Sequence, residues 1–336
     1  MTRLTDILSL FKPRIVALLC LTGASAVFAA GGAPPLRTVA FVIAGASIAG
    51  GSAALNCYYD RHLDTRMKRT ADRPLPAGRL DSRLALLFAA LALAVGTAVG
   101  LLALPAISVG CMWLGVIAYV GLYTVGLKRN HPSGVVLGGS AGSFPVLAGW
   151  SVVEPIGPAA LLMAALVFAW TPAHAWALAH VYRDDFAAAG VATLPAIAPR
   201  KHVQRAVWWS SLLTVALAGA IVPFAGSAYV GVALVGSICF LVAYRSYARA
   251  GTDGAAVRAF FTSNLYLAIL FAGWAVDGSV GVPAWGVLPA AAVTAYAFHR
   301  MWAAHPSLDG VEGTSGGEWH PTKTARRALD EVVVRV

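Results

Sequence analysis

The chain has 336 residues, of which 58% are hydrophobic and only 12% charged, and its mean hydropathy is +0.71. That balance excludes an ordinary water-soluble domain. The formal net charge of +10 would suit a nucleic-acid binder, but the bases are confined to alternate connections between apolar runs, which is a membrane pattern and leaves no nucleic-acid partner to expect.

Taken in chain order, apolar runs long enough to cross about 30 Å of hydrocarbon as a helix fall at 15–31, 38–58, 84–104, 106–126, 133–153, 157–181, 206–226, 228–247 and 257–277. The fold class expected is therefore all-α: a polytopic membrane bundle of nine core transmembrane helices, with a tenth span at 282–302 and a polar cytoplasmic tail at 303–336. The first run contains ASAVFAAGG, whose small-residue spacing resembles a signal-peptide cleavage site. Eight further spans favour a retained first helix. With the N-terminus in the cytoplasm, 19 of the 20 Lys and Arg residues up to Arg258 fall on that side and only Arg37 on the other. The positive-inside rule thus places the N-terminus and the polar loops on the cytoplasmic face of the inner membrane. Cys20, Cys57, Cys111 and Cys239 show no CxxC spacing and read as small buried hydrophobes.

The second run ends in NCYYDRHLDTRMKRTADRPLPAGR (56–79), the most polar stretch of the chain. Asn56, Asp60 and Asp64 are spaced i, i+4, i+8, which keeps them on one helical stripe with about 40° of drift per step. A solvated helix end explains such acids blandly. Their nearness to the apolar run favours an inward-facing, functional role. A second acid pair, Asp184 and Asp185, follows the sixth run in HVYRDDFAAAGVATLPAI, and the two acidic loops are expected to share a cavity. Carboxylates beside bases suit a metal-bound diphosphate. Mg²⁺ bridges one or two carboxylates to phosphate oxygens, with Lys68, Arg69 and Arg73 neutralising the remaining charge.

The pattern N-x-x-x-D-x-x-x-D followed by M-x-R-T-x-x-R-P-L, present from Asn56 through Arg69, Thr70 and Arg73, resembles the signature of the UbiA superfamily of intramembrane prenyltransferases. Three more stretches, FKPRIV (11–16), YTVGLKRNHPSGVVLGGSAGSFPVLAGW (123–150) and TPAHAWALAHVYRDDFAAAGVATLPAI (171–197), are similar to the branch of that superfamily that prenylates heme. Residues 1–280 are identified with one UbiA-like domain on this basis. The sequence departs from the branch at Ala175, Ala192 and Thr193, which bears on acceptor preference.

The resemblance implies farnesyl diphosphate as donor, heme b as acceptor and Mg²⁺ as cofactor, with a heme A synthase acting downstream. It implies metal ligation by Asp60, Asp64, Asp184 and Asp185 and catalytic roles for these four with Asn56, Arg69 and Arg73. Substrate contacts would come from Lys68, Lys128, Arg129, Tyr123, His174 and Trp176. Tyr59, Tyr119, Tyr123, Phe144 and Trp176 are the aromatic faces available to shield an allylic cation. His174 lies in a span, where hydrogen bonding between helices competes with heme ligation as its role, and His180 reads as an interfacial anchor. Two other readings stay open: a sister prenyltransferase with an aromatic acceptor such as a quinone precursor or chlorin, and a cation-coupled transporter, which would place its acids near mid-span.

Overall fold

The computed structural model describes residues 4–304; the polar tail expected at 303–336 lies outside them from residue 305 onward. These residues form helices α1 (Leu4–Leu10), α2 (Pro13–Ala29), α3 (Pro35–Asp64), α4 (Ser82–Ala103), α5 (Ala106–Val116), α6 (Gly134–Gly138), α7 (Phe144–Trp150) and α8 (Pro158–Val181). They continue through α9 (Arg183–Ala188), α10 (Leu194–Ile197), α11 (Arg200–Ile221), α12 (Ser227–Ala250), α13 (Asp253–Val280) and α14 (Val287–Ala304). A π-helical segment, Ile117–Leu127, extends α5. No strand occurs among the described residues.

Among the described residues, seven helices are long and apolar enough to cross a membrane. The expected runs 15–31 and 133–153 are helical too, but broken. α1 and α2 meet at a 45° bend, because Pro13 cannot continue the helix from α1. The fifth run, rich in glycine, divides into α6, a tight 3-10 turn and α7, which starts at Phe144-Pro145. α14 occupies the position of the tenth run but is not among the seven; Pro289, His299 and Arg300 interrupt its apolar character.

Lipid offers helices no hydrophobic reason to associate, so close packing must supply the attraction. α3 lies along α4, and a Cβ added at Gly51 would stand 2.9 Å from the Ala89 carbonyl oxygen. One at Gly96 would stand 2.8 Å from that of Ala44. Only glycine permits that approach. α8 pairs with α11 and α12 with α13, and α2 touches both α3 and α13. The first and last core helices therefore meet, closing the bundle.

Two polar devices hold the second half. Pro172 interrupts the α8 ladder, and the Ser210 hydroxyl of α11 donates to the Ala169 carbonyl (2.7 Å) while accepting from the Ala173 N–H (3.2 Å). This is the backbone compensation that a proline inside a membrane helix requires. At the far end of α13, Asp277 accepts from the N–H groups of Ala228 (3.0 Å) and Tyr229 (2.8 Å). A carboxylate there satisfies the orphan donors at the start of α12 and complements its dipole.

Candidate active site

The acid stripe expected from the sequence occupies the last turns of α3, where Asn56, Asp60 and Asp64 are 3%, 1% and 1% exposed. Asn56 donates from Nδ2 to Asp60 Oδ2 (2.7 Å) and to Thr124 Oγ1 (3.0 Å). Lys128 Nζ lies 2.5 Å from Asp60 Oδ2, Arg129 3.9 Å from Oδ1, and Arg73 donates to Asp64 Oδ2 at 3.1 Å. The buried acids thus sit at a helix end and not at mid-span, which is the opposite of the transporter expectation.

Lys12, which sequence reasoning quoted within FKPRIV without a role, completes this cluster. Its Nζ donates to Asn56 Oδ1 (2.6 Å) and Tyr119 OH (3.2 Å). It is buried, 9% exposed, and no carboxylate among the described residues lies within ion-pair distance of it. Its backbone is left-handed, at φ 45°, a conformation costly for a residue with a Cβ and typical of functional sites. The signal available in the sequence was a lysine placed immediately before the proline that opens the first span.

The π-helical segment decides where Lys128 points. In an α-helix, at about 100° per residue, position 128 would lie half a turn away from position 119. With i→i+5 bonding and about 4.4 residues per turn, nine residues make about two full turns. Tyr119, Tyr123 and Lys128 therefore share one face. The rings of Tyr119 and Tyr123 stack at 6.3 Å, and the Lys128 N–H donates to the Tyr123 carbonyl, five residues back, at 2.8 Å. Thr124, also missed from the sequence, bridges Asn56 to the Tyr119 carbonyl (2.8 Å).

The second acidic loop does reach the first, through one of its two acids. Asp185 Oδ1 accepts from the Lys68 backbone N–H at 3.0 Å, whereas the Asp184 side chain is 88% exposed beside Arg183. The Lys68 side chain faces solvent. Arg69 packs over the Tyr182 ring (5.6 Å), and burial, then the neighbouring Arg73, holds its guanidinium below the ordinary value. It has no ion pair among the described residues and so is available to an anion.

No three His, Cys, Asp or Glu side chains among the described residues already converge as a metal group. The donor chemistry nevertheless fits a divalent cation. Asp60 Oδ1 is fully buried and accepts no hydrogen bond, with the Arg129 guanidinium 3.9 Å away, and a buried carboxylate oxygen without a hydrogen bond is costly unless a cation completes it.

An apolar cavity of about 250 Å³ opens beside this cluster. Lys12 and Tyr119 join it to the polar cluster, and Met112, Phe144, Phe41 and Ala148 are among the residues that line it. Of the other aromatic candidates, Tyr59 is 46% exposed and Trp176 is buried in the core of the second half. His174 Nδ1 shares a hydrogen bond with Ser263 Oγ (2.7 Å), and its ring is stacked between Trp170 (4.1 Å) and Phe260 (4.5 Å). His180 is buried and held by Asp253 (3.3 Å) against Tyr247, so it works inside the bundle and not as an interfacial anchor.

The family model described as the UbiA prenyltransferase family matches residues 16–265. The chain belongs to the UbiA prenyltransferase family. A protoheme IX farnesyltransferase of Mycolicibacterium paratuberculosis is 43% identical over 287 residues, covering 82% of this chain and 92% of its own length. One from Frankia alni is 42% identical, over 81% and 97% of the two chains. Among solved structures, a UbiA homolog from Archaeoglobus fulgidus bound to DMAPP and Mg²⁺ superposes with a TM-score of 0.60 at 20% identity, covering 81% of this chain and 99% of its own. A structure from work on digeranylgeranylglyceryl phosphate synthase gives 0.69 at 16% identity over 83% and 99%. These two share the UbiA fold with this chain.

Proposed function

We propose that this UbiA member transfers a farnesyl group from farnesyl diphosphate to a vinyl group of heme b, giving heme O. The observation that carries the reading is the junction at Lys12, which at once lines the apolar cavity and binds Asn56 of the acid stripe. A prenyl diphosphate has the same two parts, an apolar chain joined to a dense anion. Identity above 40% with proteins named protoheme IX farnesyltransferase supports heme as the acceptor. The DMAPP and Mg²⁺ bound by the Archaeoglobus relative support the donor class.

Asp60 and Asp64, with Asp185 brought near by α9, are the groups that would hold Mg²⁺, which supplies Lewis-acid neutralisation of the departing diphosphate. Asp184 is the weakest member of the expected ligand set, since its carboxylate faces water. Lys12, Arg69, Arg73 and Lys128 bind phosphate oxygens where charge develops as the allylic C–O bond breaks, and Lys68 and Arg129 attract the anion from the rim. The Tyr119 and Tyr123 faces shield the allylic cation, and the apolar walls keep water from it. The terminal vinyl carbon of heme then bonds to C1 of the farnesyl chain, water adds to the inner carbon, and a proton is released. His174, with one ring nitrogen engaged by Ser263, offers the other to the acceptor. The polar loops face the cytoplasm, residues 1–280 form the catalytic domain, and α14 is an added tenth crossing.

The test is mass spectrometry of hemes extracted from cells that express this chain and lack their own heme O synthase. Heme O is expected; heme b alone would refute the reading.

A further inference from the structure

The α3 wall of the cavity ends, on the side away from Asn56, at an aromatic ring that bears on donor length. On α3 its lining runs from Ala53, one turn before Asn56, back to Phe41, twelve residues or about 18 Å of helix. Phe41 is 3% exposed, and its ring presses on α2 so closely that a Cβ on Gly23 would lie 2.7 Å from its Cζ. Just beyond, Gly149 of α7 lies directly against the Gly23 backbone. The ring therefore fills the space between the α3 wall of the cavity and the place where α2 and α7 come together. With C–C bonds of about 1.5 Å, three extended isoprene units reach about 14 Å and four about 19 Å. The three-unit chain is shorter than this stretch of α3 and the four-unit chain slightly longer.

We propose that Phe41 is the residue that determines donor chain length, as the floor of a gauge whose other end is set by Lys12. The proposal rests on the prenyl-transfer reading and deepens it by naming the residue that limits the donor to three isoprene units. Gly45 provides the complementary probe. It lies on α3 one turn nearer the mouth than Phe41 and lines the cavity. A Cβ there would meet nothing nearer than Met112 Cε at 3.9 Å, so a larger side chain has an unobstructed start toward the cavity that Gly45 lines. One helical turn, about 5.4 Å, corresponds to roughly one isoprene unit.

The experiment is calorimetric titration of the full chain in lipid nanodiscs, with Mg²⁺ and without heme, against geranyl, farnesyl and geranylgeranyl diphosphates. Wild type is expected to bind the farnesyl compound at least tenfold more tightly than the geranylgeranyl one. Gly45→Leu should shift the geranyl-to-farnesyl affinity ratio at least tenfold toward geranyl, and Phe41→Leu should erase the discrimination against geranylgeranyl. Affinity ratios within twofold of wild type in Gly45→Leu would overturn the gauge, and this variant decides the matter alone should Phe41→Leu not fold. Because heme is absent, the length ladder is read independently of the acceptor. A chain that shows the ladder but never prenylates heme refutes the heme reading and leaves the gauge standing, while failure to bind any of the three diphosphates overturns both.

Discussion

Lys12→Met removes the ammonium at the junction of cavity and acid stripe while keeping an unbranched apolar stem. Two effects on stability oppose each other. The variant loses hydrogen bonds to Asn56 and Tyr119, and a bond from a charged donor is worth about 1.5–3 kcal/mol. It also no longer buries a cation lacking a carboxylate partner, whose desolvation costs several kcal/mol. Stability is therefore expected to stay within about 1 kcal/mol of wild type or to rise. Catalysis has no such compensation. A donor aimed at developing anionic charge is worth roughly 10²–10³ in rate, or about 2.7–4 kcal/mol. The assay pairs thermal melting in detergent with single-turnover prenyl transfer at saturating donor, followed by mass spectrometry of the heme product. A transfer rate within threefold of wild type in the melt-competent variant would refute Lys12 as a diphosphate ligand.

Asp60→Asn and Asp64→Asn should each lower transfer below detection while the protein still inserts and melts cooperatively, and EDTA should stop the wild type until Mg²⁺ is restored; near-normal turnover by either variant would return these acids to helix anchoring. His174→Ala should raise the KM for heme at least tenfold more than the KM for farnesyl diphosphate, because its ring is engaged by Ser263, Trp170 and Phe260 and by none of the proposed diphosphate ligands; equal effects on both would make it a packing residue. Asp277→Ala removes the acceptor for the Ala228 and Tyr229 N–H groups and should cost about 1–2 kcal/mol of stability, read as a lower melting temperature with the KM for both substrates unchanged.

Local physics made much of this protein legible from its residues. Hydrocarbon thickness converts runs of about 20 apolar residues into helices, and among the described residues seven of the nine expected runs lie in helices long and apolar enough to span, the other two being helical but broken. The i, i+4, i+8 spacing of Asn56, Asp60 and Asp64 is likewise a property of one helix's own hydrogen bonds, so the stripe was visible before any packing was known. Residues distant in sequence were not. Lys12 reaches Asn56 across 44 positions and Tyr119 across 107, a meeting set by the bend before α2 and its seating against α3. Asp184 and Asp185 are equivalent on paper; the seating of α9 against the 65–81 loop turns Asp185 inward and leaves Asp184 in water. Residues 106–126 read as one uniform apolar span, because composition reports hydrophobicity and not the number of residues per turn. Only the folded bundle, where Thr124 and Lys128 find Asn56 and Asp60 as partners, compensates the π-helical winding that aims Lys128 at the site. The cavity belongs to no single segment, since four helices must pack before an apolar space exists between them.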